Sequence, residues 1–209
     1  MLQPTSDSPT DRMSAARRHR GLKLAGTVLA AAVVGVLLLR PVLTALMERN
    51  SVHNGPWRTS ATTGSDEGNP WERAAVAVGG LYALRREEAL YFTAFADSDG
   101  AALDGRCRYR LDGPVPPARW WSLTAYGADH FLIPNAQHRY AVNAHSLPSA
   151  AAGRISLTLS SQTESRADHL PTPSQGAFSL TLRLYNPPPA IVADLARVPL
   201  PDIRREACS

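Results

Sequence analysis

Lysine is almost missing from this chain: Lys23 stands alone among 22 basic residues, and the rest are arginine. The bias is compositional, so an arginine gains no functional weight from its type alone. A surplus of charge on the folded part is missing too. The net charge is +4, yet from Pro56 onward 15 arginines face 15 acids, and the 7 basic and 3 acidic residues of the first 55 positions carry the whole excess. Nucleic-acid binding requires a basic patch on the folded domain. An even balance supplies none overall, so no nucleic acid is expected as a partner. No glycine-rich phosphate loop or dinucleotide fingerprint occurs, nor a Gly-x-Ser-x-Gly elbow of the hydrolase kind. No segment repeats, and no cofactor is expected. Cysteine is limited to Cys107 and Cys208.

The N-terminal end has what the rest lacks, a long apolar run. Residues 1–21 are polar and unpatterned and are expected to form a cytoplasmic tail. Residues 22–39, LKLAGTVLAAAVVGVLLL, are apolar on every side. At 1.5 Å per residue, 18 residues reach about 27 Å, close to the hydrocarbon thickness of a bilayer. Lys23 at one edge can snorkel, and Arg40-Pro41 closes the other. The alternative is a cleaved signal peptide, but the segment that follows, VLTALMERN, offers no small-x-small cleavage site. Arg12, Arg17, Arg18, Arg20 and Lys23 precede the run, whereas only Arg40, Arg49 and Arg58 follow it closely. The expected topology is a single-pass anchor in the cytoplasmic membrane, with the N-terminus cytoplasmic and the C-terminal domain extracytoplasmic or periplasmic.

Residues 40–69 read as a linker rich in Ser, Thr, Gly and Asn. Trp57 does not suit a solvated tether, because an exposed indole forgoes burial energy. Gly55-Pro56-Trp57 is therefore expected to dock onto the domain. A helix is predicted over 70–84, with Asn69 as N-cap, Pro70 at the first position and Glu72 completing a capping box. Strands are predicted over 89–96, 106–111, 119–126, 131–133, 139–143, 155–160 and 178–185, separated by Gly, Pro and Asp turns. The expected fold of residues 70–209 is mainly β: an antiparallel β-sandwich or jelly-roll-like domain with one preceding amphipathic helix, behind an N-terminal transmembrane helix.

Two strands carry the clearest pattern. Along 119–126, Trp121, Leu123 and Ala125 alternate with Trp120, Ser122, Thr124 and Tyr126. Along 178–185, Phe178, Leu180, Leu182 and Leu184 alternate with Ser179, Thr181, Arg183 and Tyr185. The first set in each case is a core face. If the two strands share a sheet, Trp120, Tyr126, Arg183 and Tyr185 converge on an aromatic patch with one charge, built of residue types enriched at binding hot spots. The competing outcome is that the helix or Trp57 simply covers this face.

Other candidates favour plainer roles. His130, His138, His145 and His169 follow no compact ligand spacing and have no supporting acid, so no metal is expected. Asp97-Ser98-Asp99-Gly100 opens like a calcium loop but lacks the later ligands and the closing Glu, and reads as a hairpin turn. Ser122 within a strand is a poor nucleophile, and no catalytic residue is assigned. Arg106, Arg108 and Arg110 share a strand face opposite Cys107, Tyr109 and Leu111 and are expected to pair across strands with acids such as Glu87 or Asp97; the alternative is a contact with anionic lipid headgroups or an acidic partner. Both cysteines lie beyond the apolar run, and an even count in an oxidising compartment favours a Cys107–Cys208 disulfide. Two unpaired thiols are the alternative.

The runs ARWWSLTAYG, FLIPN and HRYAVN, then HLPTP and FSLTLRLYNPPP, resemble the bacterial domain of unknown function 1214, closest to its short, membrane-anchored members. Its most specific matches here are Trp121-Ser122-Leu123-Thr124, Arg139-Tyr140 and Leu182-Arg183-Leu184-Tyr185. The chain departs from that pattern at His169-Leu170-Pro171, where the family usually has Trp-Leu-Pro, and at Ala152-Gly153. The resemblance implies a mainly β domain in an envelope setting and no established activity. The expected function is a non-catalytic module of the cell envelope that binds a small ligand or a protein partner. The alternative is a small envelope enzyme acting on a glycan or cell-wall component, which would require a carboxylate pair.

Overall fold

The computed structural model describes residues 9–49, 51–60, 64, 84–162 and 164–208. They fall into two compact units, Met1–Leu46 and Met47–Ser209. The first is the body of one helix, α1 (Pro9–Arg49). Residues 9–20, expected as an unpatterned tail, are helical, and the helix also runs through Arg40-Pro41, expected as its end. Pro9 stands at the first position, where a missing N–H is harmless, and the Ala and Arg residues after it are good helix formers. Pro41 removes one backbone bond without stopping the helix. Among the described residues no helix is long and apolar enough to cross a membrane, so the expected span stands on the sequence alone.

The second unit is mainly β. Its strands are β1 (Ser51–Asn54), β2 (Trp57–Ser60), β3 (Ala89–Ala94), β4 (Cys107–Pro114), β5 (Trp120–Gly127), β6 (Ala141–Asn143), β7 (Arg154–Ser160), β8 (His169–Pro171), β9 (Phe178–Tyr185) and β10 (Asp202–Cys208). A short helix, α2 (Pro189–Ala193), precedes β10. One sheet has the order β1-β2-β3-β9-β5-β6 and the other β10-β4-β7-β8. The pairings are antiparallel except β7 with β8, which is parallel. The smaller sheet is therefore mixed, where the strand pattern predicts a purely antiparallel domain. A parallel pair cannot be joined by a tight hairpin turn, so a pattern of short strands and turns does not reveal this pairing.

Alternation places one face of each sheet in a common core. Phe92, Leu123, Leu180, Leu182 and Leu184 from the larger sheet pack with Tyr109, Leu111, Ile155, Leu157 and Leu159 from the smaller. Burial of each such leucine contributes roughly 1.5–3 kcal/mol. The strand expected at 131–133 is absent. Only an isolated bridge joins Leu132 to Tyr126, because His130 at φ 65° turns the chain and leaves Phe131 exposed. The helix expected over 70–84 lies outside the described residues, apart from Leu84.

Composition assigns 40–69 to a linker, but β1 and β2 form a hairpin that continues the larger sheet: Trp57 pairs with Ala94 and Arg58 with Thr93 of β3. Trp57 is fully buried, and its Nε1–H donates to the Pro201 carbonyl at 2.8 Å. The β-domain thus begins before residue 70. Asp97 forms the expected turn. Its Oδ1 accepts from the N–H groups of Asp99 and Ala101, Gly100 takes φ +85°, and Arg205 closes an ion pair with Asp97 at 3.1 Å. The C-terminal run, for which the sequence pattern predicts no strand, is β10, which pairs along β4. Cys208 stands opposite Cys107, and the two form the disulfide with Cα atoms 3.9 Å apart.

Candidate functional site

The face of the larger sheet that points away from the core is assembled by register. Antiparallel pairing sets Trp120 opposite Tyr185, Ser122 opposite Arg183, Thr124 opposite Thr181 and Tyr126 opposite Ser179. On the other side of β9, β3 sets Tyr91 opposite Arg183 and Thr93 opposite Thr181. A period of two then brings Trp120, Tyr126, Arg183 and Tyr185 onto one face. All four are half-buried.

Arg183 is the centre of the group. Its Nη2 donates to the Tyr126 hydroxyl at 2.7 Å and its Nη1 to Thr124 Oγ1 at 3.2 Å. Its Cζ lies 5.6 Å from the Tyr126 ring centroid and 5.9 Å from that of Tyr91, within cation–π range. Trp120 and Tyr185 stack in a tilted pair with centroids 5.1 Å apart. Between the aromatic ends lies a buried hydroxyl floor of Ser122, Thr124, Ser179 and Thr181. Tyr91 joins this group without a sequence signal. Its alternation within β3 is legible, but which strand lies beside β9 is not.

Arg183 differs from most of the described arginines in having no carboxylate within ion-pair distance among the described residues. Arg106 pairs with Asp104, Arg154 with Asp112 and Arg166 with Asp168. The Arg106 guanidinium holds the Asp104 carboxyl down at about 2, and Arg154 and Arg166 likewise lower Asp112 and Asp168. The expected cross-strand ion pair on the β4 face is made by Arg108, with an acid of β10. Arg108 bridges Glu164 at 2.8 Å and Glu206 at 3.1 Å, while Arg110 donates to Ser156 and Thr158 rather than to an acid. Glu164 and Glu206 meet only through Arg108, which neutralises one of their two charges.

The histidines scatter. The backbone N–H of His130, His138 and His145 each closes a local turn, and among the described residues no group of His, Cys, Asp and Glu could hold a metal. His169 is fully buried on β8, with Nε2 3.0 Å from Ser160 Oγ. This serine–histidine pair lacks the orienting acid of a hydrolase triad, because Nδ1 has no partner. Ser122 stands opposite Asn143 and Arg183, not a histidine.

Burial holds the His169 imidazole below its ordinary value. The Glu164 charge and a Ser160 contact oppose that shift, and Arg139 and Arg108 reinforce it. The unfolded chain takes up this proton near pH 6.5, while the folded protein resists it. Stability from His169 is therefore complete above about pH 6.5 and declines as pH falls toward the lowered folded value. Urea unfolding at a series of pH values should show this slope in the native protein, and His169→Gln should remove it. An unchanged slope in the variant would refute the assignment.

Residues 88–189 match the model of the family described as "Protein of unknown function (DUF1214)". A crystal structure of a Vibrio parahaemolyticus protein is similar to 98% of this chain, with a TM-score of 0.59 and 21% identity. A putative uncharacterised protein from Burkholderia cenocepacia gives a TM-score of 0.42 at 15% identity, again over 98% of the chain. The chain spans only 47% and 45% of those two proteins. The Vibrio likeness establishes a shared fold. No curated protein matches the chain.

Proposed function

We propose that this protein is a membrane-anchored, extracytoplasmic β-domain of sandwich type that serves the cell envelope as a non-catalytic ligand- or partner-binding module. The observation that carries the reading is Arg183: a half-buried guanidinium, ringed by Tyr126, Tyr91 and hydroxyls, with no carboxylate partner among the described residues. A cation held this way is ready for an anionic or carbonyl group on a partner, and the neighbouring Trp120–Tyr185 pair offers apolar contact area. The apolar run at 22–39 and the basic residues before it support a single-pass anchor with the domain outside. The Cys107–Cys208 bond agrees with an oxidising compartment. A glycan-cleaving enzyme would need two carboxylates flanking its substrate; among the described residues Glu164 and Glu206 share Arg108 between them.

Two measurements on the full chain test this reading together. A C-terminal alkaline phosphatase fusion should be active, and a fluorescent fusion that folds only in the cytosol should be dark. Proximity labelling from the anchored protein should then give a set of envelope neighbours that Arg183→Ala and Trp120→Ala both lose. The reverse fusion pattern would refute the topology. An identical set of neighbours in the variants would refute the surface.

A further inference from the structure

The Arg183 guanidinium has more donor capacity than the fold uses. Of its five N–H groups, one on Nη1 goes to Thr124 and one on Nη2 to Tyr126. The other three, Nε–H among them, have no partner among the described residues. Four buried side-chain N or O atoms are unpartnered in this set, and Nε of Arg183 is not one of them. That edge of the half-buried group therefore opens to water. The Oγ atoms of Ser122 and Ser179 are alike: neither is hydrogen-bonded, and neither is sealed off. Register sets Ser122 opposite Arg183 and Ser179 opposite Tyr126, so an accessible hydroxyl stands at each end of the span from Arg183 to Tyr126.

Aromatic rings wall the group on two sides. Tyr91 comes from β3 and Tyr126 from β5, the strands that flank β9. Their ring centroids lie 5.9 and 5.6 Å from Cζ. Thr124 and Thr181 belong to the buried floor of the same face. What remains open is the outer edge of the guanidinium, approached from solvent between two rings.

Charge and shape then narrow the ligand. Arg183 has no carboxylate within ion-pair distance among the described residues. Arg58, which register places on the same face through Thr93 and Thr181, is held by Glu48 at 2.8 Å. One uncommitted positive charge matches one negative charge, and a planar fork of N–H groups matches a carboxylate. The flanking rings suit a flat apolar body behind that carboxylate. We infer that this edge binds a small aromatic carboxylate of the benzoate class. The inference rests on the reading of this face as a binding surface and names its ligand.

Saturation-transfer NMR titrations on the full-length protein test it, with benzoate and phenylacetate as probes. Benzyl alcohol, phenyl phosphate and a blocked glutamyl peptide serve as comparisons. Benzoate should bind about tenfold tighter than the alcohol, roughly the worth of one charged hydrogen bond, and tighter than the phosphate or the peptide. Arg183→Lys keeps the charge but loses the planar fork, and should weaken benzoate by a similar factor. Tyr126→Phe keeps the ring and removes the hydroxyl that orients Nη2. It should weaken benzoate several-fold with an unchanged circular dichroism spectrum, which separates lost recognition from misfolding. Three results would overturn the inference: no transfer to either carboxylate, equal or tighter binding of any comparison compound, or benzoate binding that both variants leave intact. Envelope neighbours lost in Arg183→Ala without carboxylate binding would remove this ligand and leave the partner surface standing. Benzoate binding with an unchanged set of neighbours would do the reverse.

Discussion

Cys208→Ser should lower the unfolding free energy by several kcal/mol, approaching ~4.7 kcal/mol in the chain-entropy model for a closed loop of about 100 residues. The bond ties the first residue of β4 to the last of β10, a separation of 101 residues, so most of the β-domain lies inside the loop it closes. Little else in the native packing depends on it. Ile203 stays buried, Arg205 keeps Asp97 and Arg108 keeps Glu206. The cost therefore falls mainly on the unfolded chain, which regains the freedom the crosslink removes. Guanidinium unfolding with and without dithiothreitol measures it. The reduced native protein and Cys208→Ser should unfold at the same midpoint, well below that of the oxidised protein, and the variant should ignore the reductant. A difference under about 1 kcal/mol between oxidised and reduced protein would contradict the assignment, as would a reductant effect that persists in the variant.

What could be read in the sequence divides along a physical line. Strands flanked on both sides alternate cleanly, because one face must be apolar whatever the neighbours are. That is why β5 and β9, with Trp121, Leu123, Leu182 and Leu184, stand out. Edge strands answer to a partner rather than to a core. In β10 only Ile203 is buried and the rest of the strand is exposed, so periodicity has nothing to register; backbone pairing with β4 and the disulfide hold it. The three residues of β8, ending on Pro171, are too short to show a period at all. The face around Arg183 was within reach because its residues lie on the two best-patterned strands. Tyr91, which joins that face, was not, because its place beside Arg183 depends on which strand pairs with β9. Trp57 lies between these cases: an indole in linker-like sequence argues for burial, but says nothing of the hairpin that delivers it.

Trp57→Ala should destabilise the β-domain by about 3–5 kcal/mol, the range for truncating a large core aromatic. Three effects act in the same direction. The indole is fully buried in the shared core, so its removal leaves a void that an edge hairpin four residues to the strand closes only in part. The Pro201 carbonyl loses the Nε1–H donor that reaches it at 2.8 Å, and an orphaned buried acceptor costs about 1–3 kcal/mol. The hairpin itself loses its main hold. What remains includes the pairing of Trp57 and Arg58 with β3, the Arg58 guanidinium over the Phe95 ring, Val52 against the core and two hydrogen bonds from Asn54 Nδ2 to the Leu195 and Val198 carbonyls. Trp57→Phe separates these effects, because it keeps most of the bulk and removes only the donor, and should cost about 1–3 kcal/mol. The test is equilibrium unfolding in urea of the full chain and both variants, read by far-ultraviolet circular dichroism so that loss of the indole does not alter the probe. An alanine variant within about 1 kcal/mol of the native protein would mean that the hairpin is an ornament on the sheet. The expected order, Ala well below Phe and Phe below native, would place the start of the folded domain at β1, some twenty residues before the point where composition puts it.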